Sequence, residues 1–216
     1  LGPRLVAFER VTQFNAEVWP PDLIFGPMSF TLPTDLSIGI LGRKESGRTT
    51  LLQLVQGQVR PDAGTVVTNT AFSMLLNART YLHPNLNGLE NARYLARSFD
   101  IDPDMLARLL VTLPGLKPGA WYGPVRDLEA RDRKSMEILL AAVMPYECYV
   151  IDDLEKLDGN VIRILLKLAR ARNAGLVFST FSRNVARQFA DHIGVIAQRN
   201  LFLFDSVAEA EAFYGG

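Results

Sequence analysis

Gly42-Arg43-Lys44-Glu45-Ser46-Gly47-Arg48-Thr49-Thr50 follows the apolar run Leu36-Ser37-Ile38-Gly39-Ile40-Leu41 and precedes Leu51-Leu52-Gln53-Leu54-Val55. Strand, glycine loop and helix in that order are the setting of a P-loop. The pattern G-x-x-x-x-G-K-[ST] is met at every fixed position except one, where Arg48 replaces lysine. The glycines let backbone N–H groups turn inward as an anion-binding nest, and the helix that starts near Gly47 adds its positive end. Thr49 matches the hydroxyl that holds Mg²⁺. Arg48 keeps the lysine's charge, but as a planar fork on a longer stem. Phosphate binding is compatible with that exchange, and transition-state geometry suffers from it. A purely structural glycine turn is the alternative.

The composition sets the bounds around this loop. The chain has 216 residues, 48% hydrophobic and 21% charged, with 23 basic and 23 acidic side chains. That length holds one sizeable core and a small inserted subdomain. A net charge of zero gives no sign of a nucleic-acid partner. No run approaches membrane-span length and no secretory leader is visible; the chain begins at Leu1 rather than methionine, which fits a trimmed start. The single cysteine, Cys148, sits in an apolar strand-like run and reads as a buried thiol. A cytosolic protein is the expectation.

Outward from the loop, periodicity alternates between strand and helix. Residues 4–14 and 28–32 read as strands, with Trp19-Pro20-Pro21-Asp22 as a loop between them. Thr65–Thr70 reads as a strand after the turn Arg60-Pro61-Asp62-Ala63-Gly64. Helical spacing runs from Asn87 to Phe99, and a second helix from Asp102, its N-cap, to Leu113. A Pro- and Gly-rich loop follows to Pro124, then a long helix over Leu128–Val143. Glu147–Ile151 and Gly175–Thr180 are short buried strands flanking a helix over Asn160–Asn173. Ser182–Ala190 is helical, 193–197 and 201–204 form a closing pair of strands, and Ala208–Tyr214 is a terminal helix. Alternating strands and helices predict an α/β sheet of the P-loop NTPase class. The helical block over about 85–143 reads as an inserted subdomain.

A second acidic site accompanies the loop. Cys148-Tyr149-Val150-Ile151 ends in Asp152, the place where P-loop NTPases keep the carboxylate that helps hold Mg²⁺. Asp153 follows and is a candidate to orient water or act as general base. A solvated strand end is the alternative for both.

With these residues in place, the chain resembles the nucleotide-binding domain of an ABC transporter over nearly its whole length. It is most like the ATP-binding subunits that export capsular polysaccharide and O-antigen glycans. The resemblance is carried by Gly39–Gly42 with the P-loop, by Arg60-Pro61-Asp62-Ala63-Gly64, by Asn87-Gly88-Leu89-Glu90-Asn91 and by Tyr149-Val150-Ile151-Asp152. Phe189-Ala190-Asp191 and Ala210-Glu211-Ala212-Phe213-Tyr214 add to it. Each motif is degenerate alone; their order and spacing are the specific signal.

The resemblance implies ATP and Mg²⁺ as cofactors and Gly42–Thr50, with Arg43, Lys44, Glu45, Ser46 and Gly47, as the phosphate cradle. Thr49 and Asp152 would be the metal-side residues, and Phe14 the adenine-stacking aromatic, with Trp19 as second candidate and a core role as the alternative. It implies a membrane permease subunit and a second nucleotide-binding subunit, in a homo- or heterodimer, as partners. It places the chain on the cytoplasmic face of the inner membrane. The permease groove would be lined by residues around Leu75–His83, with Met74, Leu75, Leu76 and Tyr81 as an apolar wall, or those residues are core.

The departures fall on the catalytic positions. His83 stands where the family has a coupling glutamine, Asp153 where it has the catalytic glutamate, and Phe181 where it has the switch histidine. Leu128-Glu129-Ala130-Arg131-Asp132 matches the signature segment without its serine or glycines. Asp158 keeps the acidic residue of the D-loop. The resemblance therefore implies an ATP-binding subunit with weak or absent hydrolysis, with a non-catalytic scaffold or regulatory pseudo-ATPase as the alternative. A small P-loop kinase is disfavoured, because the chain shows no lid segment with clustered arginines.

Overall fold

The computed structural model describes residues 3–215, in two compact units. The first unit comprises Leu1–Ala78, Glu147–Glu155 and Asn173–Gly216 within those limits, and holds every strand. Its strands are β1 (Leu5–Asn15), β2 (Asp22–Pro33), β3 (Ser37–Leu41), β4 (Ala63–Thr68), β5 (Phe72–Leu76), β6 (Cys148–Ile151), β7 (Gly175–Thr180), β8 (His192–Ala197) and β9 (Asn200–Phe204). Its helices are α1 (Arg48–Val55), α6 (Arg183–Phe189) and α7 (Val207–Gly215); the helices between α1 and α6 belong to the second unit.

One sheet is antiparallel, in the order β2-β1-β4. Its middle strand shows why: Val6, Phe8 and Val11 turn inward, with a bulge between Phe8 and Val11 resetting the alternation. Phe8 stacks on Phe30 across the β1–β2 pair, ring centroids 4.3 Å apart. The other sheet has the order β5-β6-β7-β3-β8-β9, parallel except for the antiparallel β8–β9 hairpin. Every residue of β3, β6 and β7 is buried, as expected of central parallel strands covered on both faces. A core running through Phe8, Phe25, Ile38, Leu52, Val150 and Val177 joins both sheets to α1. Each such side chain, when fully buried, contributes roughly 1.5–3 kcal/mol.

The neighbours β6, β7 and β3 end side by side, and the chain turns there into Asp152, Phe181 and Gly42 respectively. Ligands of open α/β sheets lie beyond the carboxyl ends of the strands, where the strand order switches. β3 is such a switch, lying between β7 and β8. Asp191, in the Phe189-Ala190-Asp191 stretch, accepts the Ser37 N–H at 2.9 Å and so fixes the start of β3.

The second unit comprises Arg79–Tyr146 and Lys156–Arg172 and is helical. It holds α2 (Gly88–Ser98), α3 (Pro103–Thr112), α4 (Ala130–Val143) and α5 (Gly159–Ala171). Asn87-Gly88-Leu89-Glu90 is a capping box: Glu90 N–H donates to Asn87 Oδ1 and Asn87 N–H to Glu90 Oε2, both at 2.8 Å. Gly88 is there because a Cβ would lie 2.6 Å from the ring of the buried Trp121. Asp102 caps α3 as expected, with Pro103 in the first turn.

Several elements differ from the sequence expectation. The second strand is longer, beginning at Asp22, because Leu23 and Phe25 continue the pairing with β1. β4 starts at Ala63 and stops at Thr68. The long helix opens at Ala130, after a 3₁₀ turn over Val125–Asp127. β5 went unread: Leu75 and Leu76 pair with β6 and lie in the core, so they form no groove wall. Tyr81 is buried too, its hydroxyl donating to the Glu137 carbonyl at 2.6 Å, and burial pushes its phenol well above the usual range. Cys148 is fully buried, and burial likewise raises its thiol.

Candidate functional site

The loop Gly42–Thr50 leaves β3 and curls into α1. Gly42 N–H donates to the Thr180 carbonyl at 3.2 Å, which ties the loop's start to the end of β7. Ser46 N–H closes a turn onto the Arg43 carbonyl at 3.2 Å. Gly47 has φ +89° and Glu45 φ +64°, the left-handed conformations that aim successive amides to one side. A Cβ on Gly47 would sit 2.6 Å from Ile24 and 2.7 Å from Phe25, so glycine is required by both dihedral and space. Gly47 caps α1 without a side chain, and no acidic residue occupies the first turn. The positive end of α1 therefore faces a cleft of about 980 Å³. Arg43, Glu45, Ser46, Gly47, Arg48, Thr49 and Thr50 line it on one side. Asn15, Leu23, Ile24, the β8–β9 turn at Gln198-Arg199, and Phe213-Tyr214 of α7 line the rest.

Thr49 and Asp152 meet as the sequence predicts: Thr49 Oγ1 donates to Asp152 Oδ2 at 2.6 Å. Ser179 on β7 donates to the other oxygen, Oδ1. Asn77 supports the turn from below, its Nδ2 donating to the Asp152 carbonyl at 2.8 Å and the Asp153 carbonyl at 3.2 Å. Asp153 N–H donates to Ser179 Oγ at 2.8 Å, and Asp153 itself has φ +49°. A hydroxyl beside a carboxylate is the hard oxygen pair that Mg²⁺ accepts, with phosphate and water oxygens completing the octahedron. Among the described residues no group of three or more His, Cys, Asp or Glu side chains could hold a metal alone. The pair fits a metal completed by a nucleotide.

Arg48 departs from the role of a phosphate lysine. Its stem crosses the loop, Cγ lying 3.1 Å from where a Cβ on Gly42 would be. Its head points to the acidic turn after β6: Nη2 is 2.8 Å from Asp153 Oδ1 and Nη1 is 3.9 Å from Glu155 Oε1. Phe181 covers it, the guanidinium carbon 5.7 Å from the ring centroid. Arg48 and Asp153 are mostly buried, at 10% and 19% side-chain exposure. Arg48, Asp153 and Phe181 thus form one cluster.

The remaining candidates lie elsewhere. Phe14 is exposed near the end of β1, its N–H donating to Asp62 Oδ2 at 2.8 Å, beside Asn15 of the cleft lining. Trp19 is 92% exposed in the β1–β2 turn. His83 belongs to the second unit, where its backbone N–H donates to Asn91 Oδ1 at 2.7 Å and its Nδ1 accepts from Asn85 N–H at 3.3 Å. Arg131, in the signature segment, is ion-paired with Asp158. That guanidinium and the Asn160 N–H hold the Asp158 carboxyl below the usual carboxylate range. The sequence carries no signal for Asn77 or Glu155 and only a weak one for Ser179. Ser179, inside the strand that precedes Phe181, was the most accessible of the three, since a hydroxyl in an otherwise buried apolar strand needs a partner.

The likeness to solved structures decides the fold. An ATP-binding subunit of an ABC transporter superposes with a TM-score of 0.78, covering 98% of this chain and 93% of that one at 14% identity. The fold is that of an ABC-type nucleotide-binding domain. Among curated sequences, the chain is 23% identical over 190 residues to the ATP-binding protein BexA of Haemophilus influenzae, covering 87% of each. It is 22% identical over 191 residues to the capsule polysaccharide export ATP-binding protein CtrD of Neisseria meningitidis, covering 87% of this chain and 88% of that one. No protein-family model matches the chain.

Proposed function

We propose that this chain is the ATP-binding subunit of an ABC exporter of polysaccharide, and that it binds Mg-ATP while hydrolysing it weakly or not at all. The observation that carries the reading is the Arg48–Asp153 ion pair under Phe181, set beside an intact glycine loop. The loop amides and the N-terminus of α1 receive phosphate oxygens. Thr49 and Asp152 would hold Mg²⁺, which neutralises phosphate charge when bound. Phe14 is exposed and adjoins Asn15 of the cleft lining without lining the cleft itself; its ring is the candidate to stack on the base.

The same cluster argues against turnover. Asp153 is the candidate carboxylate to orient water, and Arg48 engages it. Phe181 offers no hydrogen bond where a γ-phosphate needs one. Losing one transition-state donor costs roughly 10²–10³ in rate, and such losses are not additive. The likeness to CtrD, by its name a capsule polysaccharide export protein, supports polysaccharide export as the process. The partners are then a membrane permease subunit and a second nucleotide-binding subunit, identical or different, on the cytoplasmic face of the inner membrane. No helix among the described residues is long and apolar enough to cross a membrane itself. The helical segment over about 85–143 serves as the inserted subdomain.

A scaffold or regulatory pseudo-ATPase is the second reading, favoured by the same ion pair if it never opens. The test is phosphate release from Mg-ATP by purified protein. Expected turnover is at least ~10²-fold below an ordinary kcat of about 10 s⁻¹. Ordinary turnover that disappears in Asp153→Asn would overturn the proposal.

A further inference from the structure

Glu155 has no part in the reading above. It sits on the 3₁₀ turn Leu154–Lys156, after the two aspartates. Its side chain is 11% exposed, and neither carboxylate oxygen has a hydrogen-bond partner among the described residues. A buried carboxylate without a donor is costly unless a positive charge stands near it. The charge near it is Arg48, whose Nη1 is also buried without a hydrogen bond and lies 3.9 Å from Oε1. The other terminal nitrogen of the same guanidinium holds Asp153 at 2.8 Å. One fork therefore faces two carboxylates.

We propose that Glu155 is a positioning residue: with Asp153 it holds the Arg48 guanidinium off the phosphates, so that a nucleotide competes with two carboxylates for one cation. This rests on the proposal that the loop binds nucleotide. Because the stem of Arg48 already crosses the loop at Gly42, only its outer torsions need to turn for the head to reach a phosphate. The apparent dissociation constant is the intrinsic one divided by the fraction of molecules whose guanidinium is released. Neutralising Glu155 raises that fraction. Removing one of the two negative charges that the guanidinium faces weakens the pull that keeps it turned from the phosphates.

The test is calorimetric titration with Mg-ATP of wild type, Glu155→Gln, Arg48→Met and the double variant. Glu155→Gln, of the same shape, is expected to bind about tenfold tighter, as when the released fraction rises from roughly a tenth to nearly all. In the Arg48→Met background the same substitution is expected to change affinity less than about twofold. Should Arg48→Met not fold, Arg48→Lys is the second background; a compact ammonium cannot span both carboxylates, so the gain is again smaller. Unchanged affinity in Glu155→Gln overturns the proposal. So does an equal gain in every background, which would mean direct repulsion of phosphate by Glu155. Absence of binding by wild type and Glu155→Gln alike overturns the nucleotide reading itself, a result distinct from binding that Glu155 does not affect.

Discussion

Arg48→Ala is expected to lower the thermal melting temperature by on the order of 10 °C. Arg48 is the cation that faces Asp153 and Glu155, and all three side chains are at least four-fifths buried, at 10%, 19% and 11% exposure. Breaking a buried pair by removing one partner costs about 3–5 kcal/mol, because the remaining charge is left in low dielectric. For a chain of this length each kcal/mol moves the midpoint by roughly 2–4 °C. The substitution also removes the stem that packs against the glycine loop and the cation above Phe181. Adding Asp153→Asn and Glu155→Gln to Arg48→Ala is expected to restore most of the loss, since no uncompensated charge remains. A midpoint for Arg48→Ala within about a degree of wild type would mean that the pair is solvent-screened and worth little.

Gly47→Ala is expected to abolish Mg-ATP binding and to destabilise the first unit. The residue lies at φ +89°, and an added Cβ would meet Ile24 at 2.6 Å and Phe25 at 2.7 Å. Phe25 is fully buried in the core and cannot retreat without opening the packing between β2 and α1. Backbone strain of ~1–3 kcal/mol and overpacking of ~1–3 kcal/mol act together. Relief requires the loop to unwind, and the inward-facing amides are then lost. Gly57→Ala is the control: φ is +70° there, but nothing lies within 4 Å, so the cost is limited to about 1 kcal/mol of backbone strain. Melting curves and Mg-ATP titrations of both variants check this. Equal behaviour of the Gly47 and Gly57 variants would refute the steric argument.

What the sequence made legible was local. The phosphate loop reads from nine consecutive residues, Gly42–Thr50, because strand, glycines and helix are contiguous. Asp152 reads from a four-residue apolar strand that ends in a carboxylate. Asp102 reads as a cap because Pro103 follows it. β5 was not legible, since Phe72–Leu76 is a short apolar run that fits a strand, a groove wall or a core segment equally well. The Arg48–Asp153–Glu155 arrangement was not legible either. Position 48 lies on α1 and the two acids lie beyond β6, and it is the sheet order, with β7 between β6 and β3, that brings them together. Read one at a time, residues 48, 153 and 181 are three separate departures from the pattern that the resemblance implies. In space they are a cation, its anion and the ring that covers them. The Arg131–Asp158 pair was hidden for the same reason, since α4 and α5 are brought together only by the packing of the helical unit.

The measurement that tests the central claim most directly is a calorimetric titration of the purified wild-type chain with Mg-ATP. The glycine loop, the α1 N-terminus and the Thr49–Asp152 pair predict saturable binding with a dissociation constant in the micromolar range, about −8 kcal/mol. No detectable heat up to millimolar Mg-ATP would contradict it, and would mean that the carboxylates keep Arg48 and the loop is retained for the fold alone.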